Sequence, residues 1–237
     1  MPELQYQDLG RCAYKEAYEL QQQHFDQLLA LKRATKDKAV AGEAGVLLLC
    51  EHDPVYTIGR NGNESNLIVN KEQLGAEVHR IGRGGDITYH GPGQLVGYPI
   101  LDLEKWPLGL AAYVFRLEEA ILNTLEQFGI KAERTSEAPG VWLDYNDPKR
   151  ARKICALGIQ ASRWVTMHGF ALNVNTDLNY FNHIVPCGIA EKQVTSMEKE
   201  LGEPIPMEKV KKVFRAAFES TFGINWTARA ASDLREI

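Results

Sequence analysis

The sequence predicts an α+β fold: a mixed or antiparallel sheet flanked by helices. Two observations carry this. Three well-separated stretches, near 14–34, 107–128 and 207–222, place apolar residues at helical spacing. Three short apolar runs, Gly140–Leu143, Ile154–Gln160 and Phe170–Val174, follow one another with only loops between, as an antiparallel meander does. The chain has 237 residues, 44% hydrophobic and 24% charged, which suits one large domain with a real core.

In order along the chain, Tyr14–Ala34 reads as a helix from Leu20, His24 or Phe25, Leu28 and Leu31. Ala44–His52 holds the run Val46 to Cys50, typical of a strand buried on both faces. His52–Gly62 reads as a turn-rich loop, and Leu67–Leu74 fits no single element. Glu77–Arg80 reads as a strand entering a glycine loop, and Gln94–Leu101 as the strand that leaves it. Pro107 opens the next helix, which keeps Tyr113, Leu117, Ile121, Leu125 and Phe128 on one face and stops at Gly129. Tyr145–Arg150 is a polar hairpin before the second meander strand. Thr176–Tyr180 reads as a single turn capped by Asp177. Met207–Phe222 is the last helix, with Val210, Val213, Phe214, Ala217 and Phe218 facing the core, and residues beyond Trp226 are a tail.

The net charge of −4 argues against nucleic acid as the main partner. The basic run Lys149–Lys153 is a candidate local patch, with a solvated loop as the plainer alternative. No apolar run approaches the roughly 20 residues of a membrane span. The first residues are acidic and polar, unlike a secretory signal. Cys12, Cys50, Cys155 and Cys187 are scattered, without a C-x-x-C pair or zinc-type spacing. That pattern favours a reducing, intracellular setting and gives no reason to expect a metal.

Residues 83–94 are the densest chemical signal: Arg-Gly-Gly-Asp-Ile-Thr-Tyr-His-Gly-Pro-Gly-Gln, with four glycines and a proline in twelve positions. A turn needs one or two such residues, so this loop is shaped around a ligand. Lys153 heads an apolar strand, where it either snorkels at the rim or faces a polar pocket. Cys187 lies between Pro186 and Gly188 on a tight turn, a place for a reactive thiol and not for core filler. Cys155, two residues past Lys153 on the same strand face, competes as nucleophile. His90 and His168 each sit beside a glycine, and each could be a base, a ligand contact or structural.

Taken together, the Arg83–Gln94 string, Lys153-Ile154-Cys155, His168-Gly169, Leu172-Asn173-Val174-Asn175 and Pro186-Cys187-Gly188 resemble the lipoyl(octanoyl) transferases. The motifs run in order from about Pro54 to Ser196, and Lys153 and Cys187 lie 34 residues apart, as in that family. The resemblance implies a biotin/lipoate protein ligase-like fold. It implies one catalytic domain over residues 1–237, with a core of about 30–222 and a tail at 227–237. It further implies transfer of an octanoyl or lipoyl group from acyl carrier protein to an acceptor lysine. The acceptors are the lipoyl domains of 2-oxoacid dehydrogenases and the H protein of glycine cleavage. Cys187 would carry the acyl thioester and Lys153 would activate it. Arg83, Gly84, Gly85, Asp86, Ile87, Thr88, Tyr89 and His90, with Ala156, Leu157, Gly158, Gly169, Phe170 and Ala171, would line the substrate pocket, with His168 in support. No cofactor, metal, nucleic acid or membrane is implied, and the location is cytoplasmic.

Three other readings use the same residues. An ATP-dependent ligase of the same fold would form an acyl-adenylate and need no nucleophilic cysteine. A silent acyl-protein binder would keep the glycines without needing Lys153 or Cys187. A hydrolase would pair Cys187 with His90 or His168 and release free acid.

Overall fold

The computed structural model describes residues 1–34, 44–69, 74–106, 108–185 and 193–227. The chain begins with β1 (Glu3–Cys12), α1 (Tyr14–Ala34), β2 (Gly45–His52), β3 (Val55–Ile58), β4 (Glu77–Arg80), β5 (Ile87–His90) and β6 (Gln94–Leu101). It continues through α2 (Leu110–Glu126), β7 (Glu133–Arg134), β8 (Val141–Leu143), β9 (Arg152–Ser162) and β10 (Val165–Asn173). The last elements are β11 (Gln193–Val194), α3 (Met197–Leu201), α4 (Met207–Phe222) and β12 (Asn225–Thr227).

Nine strands form a mixed sheet in the order β12-β1-β2-β6-β10-β9-β8-β7, with β11 added alongside β9. The run from β2 through β7 is antiparallel, whereas β1 pairs in parallel with β2 and β12. The continuous apolar run in β2 has a simple cause. Val46, Leu48 and Cys50 face one layer, with Phe25 and Leu29 of α1, while Leu47 and Leu49 face the other, with Leu117, Ile121 and Phe214 of α2 and α4. Alternate side chains therefore enter two different cores, and neither face is polar.

The helices form where the periodicity predicts, with two differences. In α1 the buried stripe is Tyr14, Ala17, Gln21, Phe25 and Leu29, while Leu31 is exposed. A buried glutamine hides that stripe from a hydrophobic reading; its Oε1 accepts the His168 backbone N–H at 3.2 Å. Helix α2 begins at Leu110 behind Gly109; Pro107 lies outside the described residues. Asp177 caps a 3-10 helix over Leu178–His183, longer than a single turn.

A second sheet, β4-β3-β5, was not anticipated as such. Its strand β3 falls within the expected loop His52–Gly62, and β5 lies inside the glycine loop itself. Glycines flanking Ile87–His90 mask a four-residue strand that pairs antiparallel with Val55–Ile58. Strand β1 has no local signal in the sequence, and it brings Leu4 into the main core. No helix among the described residues is long and apolar enough to cross a membrane.

Candidate active site

The small sheet and the glycine loop stand over β9 and β10, and a narrow cavity of about 90 Å³ lies between them. Arg83, Gly85, Asp86, Ile87, Thr88 and His90 line one side of it; Ala156, Leu157 and Gly158 of β9 with His168, Gly169, Phe170 and Ala171 of β10 line the other. A wider cavity of about 430 Å³ adjoins it, lined by Gly84, Leu110, Val114, Pro139 and Trp142 among others. Gly85, Lys153, Leu157, Gly158 and Val194 border both. Tyr89 is turned away: its ring stacks on Tyr180 at 4.5 Å in the small core behind β5. Alternation along β5 decides this, since a strand that points Thr88 and His90 one way points Tyr89 the other.

Arg83 is the hub of the glycine loop. It is buried, and its Nη2 donates to the Thr57 carbonyl oxygen at 2.6 Å and to the Thr57 hydroxyl at 2.9 Å. Its stem lies against Gly158, where an added Cβ would meet Arg83 Cδ at 2.9 Å and Gly84 O at 3.1 Å. Only glycine lets loop and strand approach so closely.

From Arg83 a directed chain of hydrogen bonds crosses the site. Gln94 Nε2 donates to Asn173 Oδ1 at 2.9 Å and to Tyr89 O at 3.2 Å, so Gln94 Oε1 is an acceptor. His90 Nδ1 therefore donates to it at 2.8 Å, and His90 Nε2 accepts from Thr57 Oγ1 at 3.3 Å. Asn173 Nδ2 passes the chain to Thr195 O at 2.9 Å, and the Thr195 N–H donates to Lys153 O at 2.9 Å. Both ring nitrogens of His90 are thus engaged. Burial first, then the neighbouring His52, pushes its pKa down to about 3. It is a neutral link and a poor general base at neutral pH.

His168 differs. It is buried in left-handed backbone, φ 61°, and its Nε2 has no hydrogen-bond partner among the described residues. Burial and then the Arg83 charge push its pKa down to about 4. It too is neutral near pH 7.

Lys153 sits at the junction of the two cavities. Its Nζ donates to Pro139 O at 3.2 Å and lies 4.5 Å from the centre of the Trp142 ring. The ammonium thus faces the mouths of the two cavities, with a carbonyl oxygen and a ring for neighbours. Beneath it, Glu118 of α2 is buried and accepts the Gly140 N–H at 2.9 Å. Burial raises the Glu118 carboxyl; the Gly140 bond and the charges of Arg134 and Lys153 oppose that rise.

The expected pairing of Lys153 with Cys155 on one strand face does not form. Val141 lies opposite Cys155 while Trp142 lies opposite Lys153, so Ile154 is an extra residue in β9. This bulge breaks the alternation. Ile154 and Cys155 both enter the main core, and burial pushes the Cys155 thiol well above its ordinary value. Cys187 lies outside the described residues. On one side of it, Val185 N donates to Asn66 O at 2.8 Å; on the other, Val194 of β11 pairs in register with Lys153.

The profile of the lipoyl protein ligase A/B catalytic domain family matches residues 17–219. An octanoyltransferase of Parabacteroides distasonis is 51% identical over 225 residues, covering 94% of this chain and 100% of that protein. The chain belongs to this family. An octanoyltransferase of Bacteroides thetaiotaomicron is likewise 51% identical, covering 86% of this chain and 88% of that one. Among solved structures, a bi-partite lipoate protein ligase from Thermoplasma acidophilum superposes with a TM-score of 0.72 at 17% identity, covering 98% of this chain and 89% of that one. A lipoate-protein ligase A bound with ATP gives 0.64 at 17%, covering 98% and 90%. Those two likenesses bear on the fold, which is that of the lipoate protein ligases.

For a member of this family, several residues of the site are unmarked in the sequence. Thr57 and Glu118 carry no motif; only the partners that the sheets bring to them reveal a role. The basic run 149–153 does not form a cationic patch. Arg150 and Arg152 both pair with Asp144, Arg152 also grips Glu200, and Lys153 turns into the cavities. The cysteines, scattered in sequence, are not all scattered in space: Cys12 and Cys50 meet at His52.

Proposed function

We propose that this protein moves an octanoyl group from the thioester of acyl carrier protein to the acceptor lysine of a lipoyl domain, by way of a thioester on Cys187. The observation that carries the reading is the place of Lys153, between a narrow cavity with apolar walls and a wider one open to a partner's arm. Val96, Leu157, Phe170 and Ala171 give the narrow cavity its apolar surface, suited to a medium-length acyl chain. Strand β11, six positions after Cys187, returns the chain alongside Lys153.

The chemistry has two balanced halves. Lys153, as a neutral amine, takes the Cys187 thiol proton; the thiolate attacks the donor carbonyl, and the carrier's thiolate leaves and takes that proton. The acceptor amine then attacks the Cys187 thioester, gives a proton to Lys153, and expels the Cys187 thiolate as the amide forms. The first half exchanges one thioester for another and the second runs downhill to an amide, so no nucleotide is required. Lipoyl domains of 2-oxoacid dehydrogenases and the H protein of glycine cleavage are the acceptor class, and the cytoplasm is where their apo forms and free thiols coexist.

The test is intact-mass analysis after mixing with octanoyl-loaded carrier protein, without ATP. One octanoyl addition is expected, mapped to Cys187 and discharged by an apo lipoyl domain. An adduct on Cys155, no adduct in a single turnover, or a strict need for ATP and magnesium would overturn the reading.

A further inference from the structure

Behind the narrow cavity, beyond Tyr98 and His90 that line it, the end of β1 meets the end of β2. Parallel pairing sets Cys12 opposite His52, and Cys50 is two residues earlier on the same face. The sulfurs of Cys12 and Cys50 and a ring nitrogen of His52 all lie within 4.8 Å of one another. Cys50 and His52 are fully buried and Cys12 is half-buried.

We propose that Cys12, Cys50 and His52 form a binding site for a single zinc ion. Three features support it. First, Cys50 and His52 have the spacing that zinc needs. Zinc with bonds of about 2.3 Å to sulfur and about 2.0 Å to nitrogen holds tetrahedral S and N donors roughly 3.6 Å apart. Cys50 Sγ and His52 Nε2 are 3.4 Å apart.

Second, the imidazole is pre-set. His52 Nδ1 lies 3.2 Å from the Cys12 carbonyl oxygen, which can only accept, so the ring proton sits on Nδ1 and Nε2, on the side of Cys50 Sγ, is the acceptor nitrogen. A backbone carbonyl holding the distal N–H is the usual support of a metal-bound histidine. Tyr98 Oη donates to Nε2 at 2.7 Å; zinc takes its place on that nitrogen, and the freed hydroxyl can donate to a bound thiolate.

Third, two thiolates and a neutral imidazole cancel the charge of a divalent ion, so nothing charged is left buried; a monovalent soft ion would leave an excess negative charge there. Zinc binding displaces the protons of both thiols. The half-exposed Cys12 gives the ion a way in.

The experiment uses the full-length protein, reduced and stripped with a chelator, and two probes: zinc in competition with a chromophoric chelator, and cobalt as a spectroscopic substitute. One zinc per chain is expected, with a thiolate-to-cobalt charge-transfer band and the strong visible bands of tetrahedral cobalt. Cys12→Ser, at the half-buried end of β1, should lose more than the roughly 10–100-fold in affinity that an outer-shell change causes. Cys187→Ser should keep full stoichiometry. The proposal is overturned if wild type shows no saturable zinc binding or no thiolate charge-transfer band. It is equally overturned if binding survives Cys12→Ser unchanged, or disappears in Cys187→Ser.

Discussion

Arg83 is clamped to Thr57 by three hydrogen bonds: Nη2 to the carbonyl oxygen at 2.6 Å, and Nη2 and Nε to the hydroxyl at 2.9 and 3.2 Å. The same hydroxyl donates to His90, so one threonine on β3 joins the glycine loop to the polar chain that reaches the Lys153 strand.

Thr57→Val keeps the shape and removes the hydroxyl. It leaves a buried guanidinium short of an acceptor, at a cost of about 1–3 kcal/mol. The expected result is lower unfolding stability in urea together with a fall in octanoyl-transfer kcat/KM. Arg83→Lys should fare no better, because one ammonium cannot reproduce the fork. Wild-type kcat/KM in both variants would make this clamp incidental to the site.

The Lys153 assignment predicts a split between charge and proton transfer. Lys153→Ala should move the pH dependence of Cys187 alkylation upward by about one unit or more, since a neighbouring cation favours the thiolate. Lys153→Arg should restore the alkylation profile but not turnover, because guanidinium keeps its proton. An alkylation profile in Lys153→Ala that overlays wild type would remove the lysine from the mechanism.

Glu118 tests the electrostatics beneath Lys153. Glu118→Gln retains an oxygen for the Gly140 N–H but removes an anion whose field meets the lysine. An anion stabilises ammonium, so its loss lowers the lysine pKa and should carry the acidic limb of the kcat–pH profile to lower pH. A purely structural glutamate would change the melting temperature and leave that limb where it was.

The two depressed histidines predict how stability depends on acid. An unfolded histidine titrates near pH 6.5, whereas His90 and His168 are pushed down to about 3 and about 4. Between these values the unfolded chain binds more protons than the folded one. Their contribution is therefore complete above about pH 6.5 and is lost as the pH falls through the window toward the folded values. His168→Asn, in a backbone conformation that asparagine tolerates, should reduce the slope of unfolding free energy against pH in that window by about 1 kcal/mol per unit. Urea titrations from pH 4.5 to 7 measure it, and an unchanged slope would mean that His168 titrates normally.

The sequence by itself determined what is written in local spacing. The helices α1, α2 and α4 follow from apolar periodicity, and β2 and the β8–β10 meander from short apolar runs. The glycine loop and the lysine at the head of its strand also stood out, because so many glycines in twelve residues, or a charge opening an apolar strand, are locally anomalous. Tertiary structure alone decided the rest. Strand β3 exists through pairing with β4 and β5 on either side, β5 through pairing with β3, and the flanking glycines give no periodicity to read. One bulged residue at Ile154 sends Cys155 into the core and leaves Lys153 at the cavities. Thr57 under Arg83, Glu118 under Lys153, and the meeting of Cys12, Cys50 and His52 are all set by register between strands and by helix packing. Such partners lie tens of residues apart in the chain, and local spacing says nothing about which distant strand or helix will lie beside them.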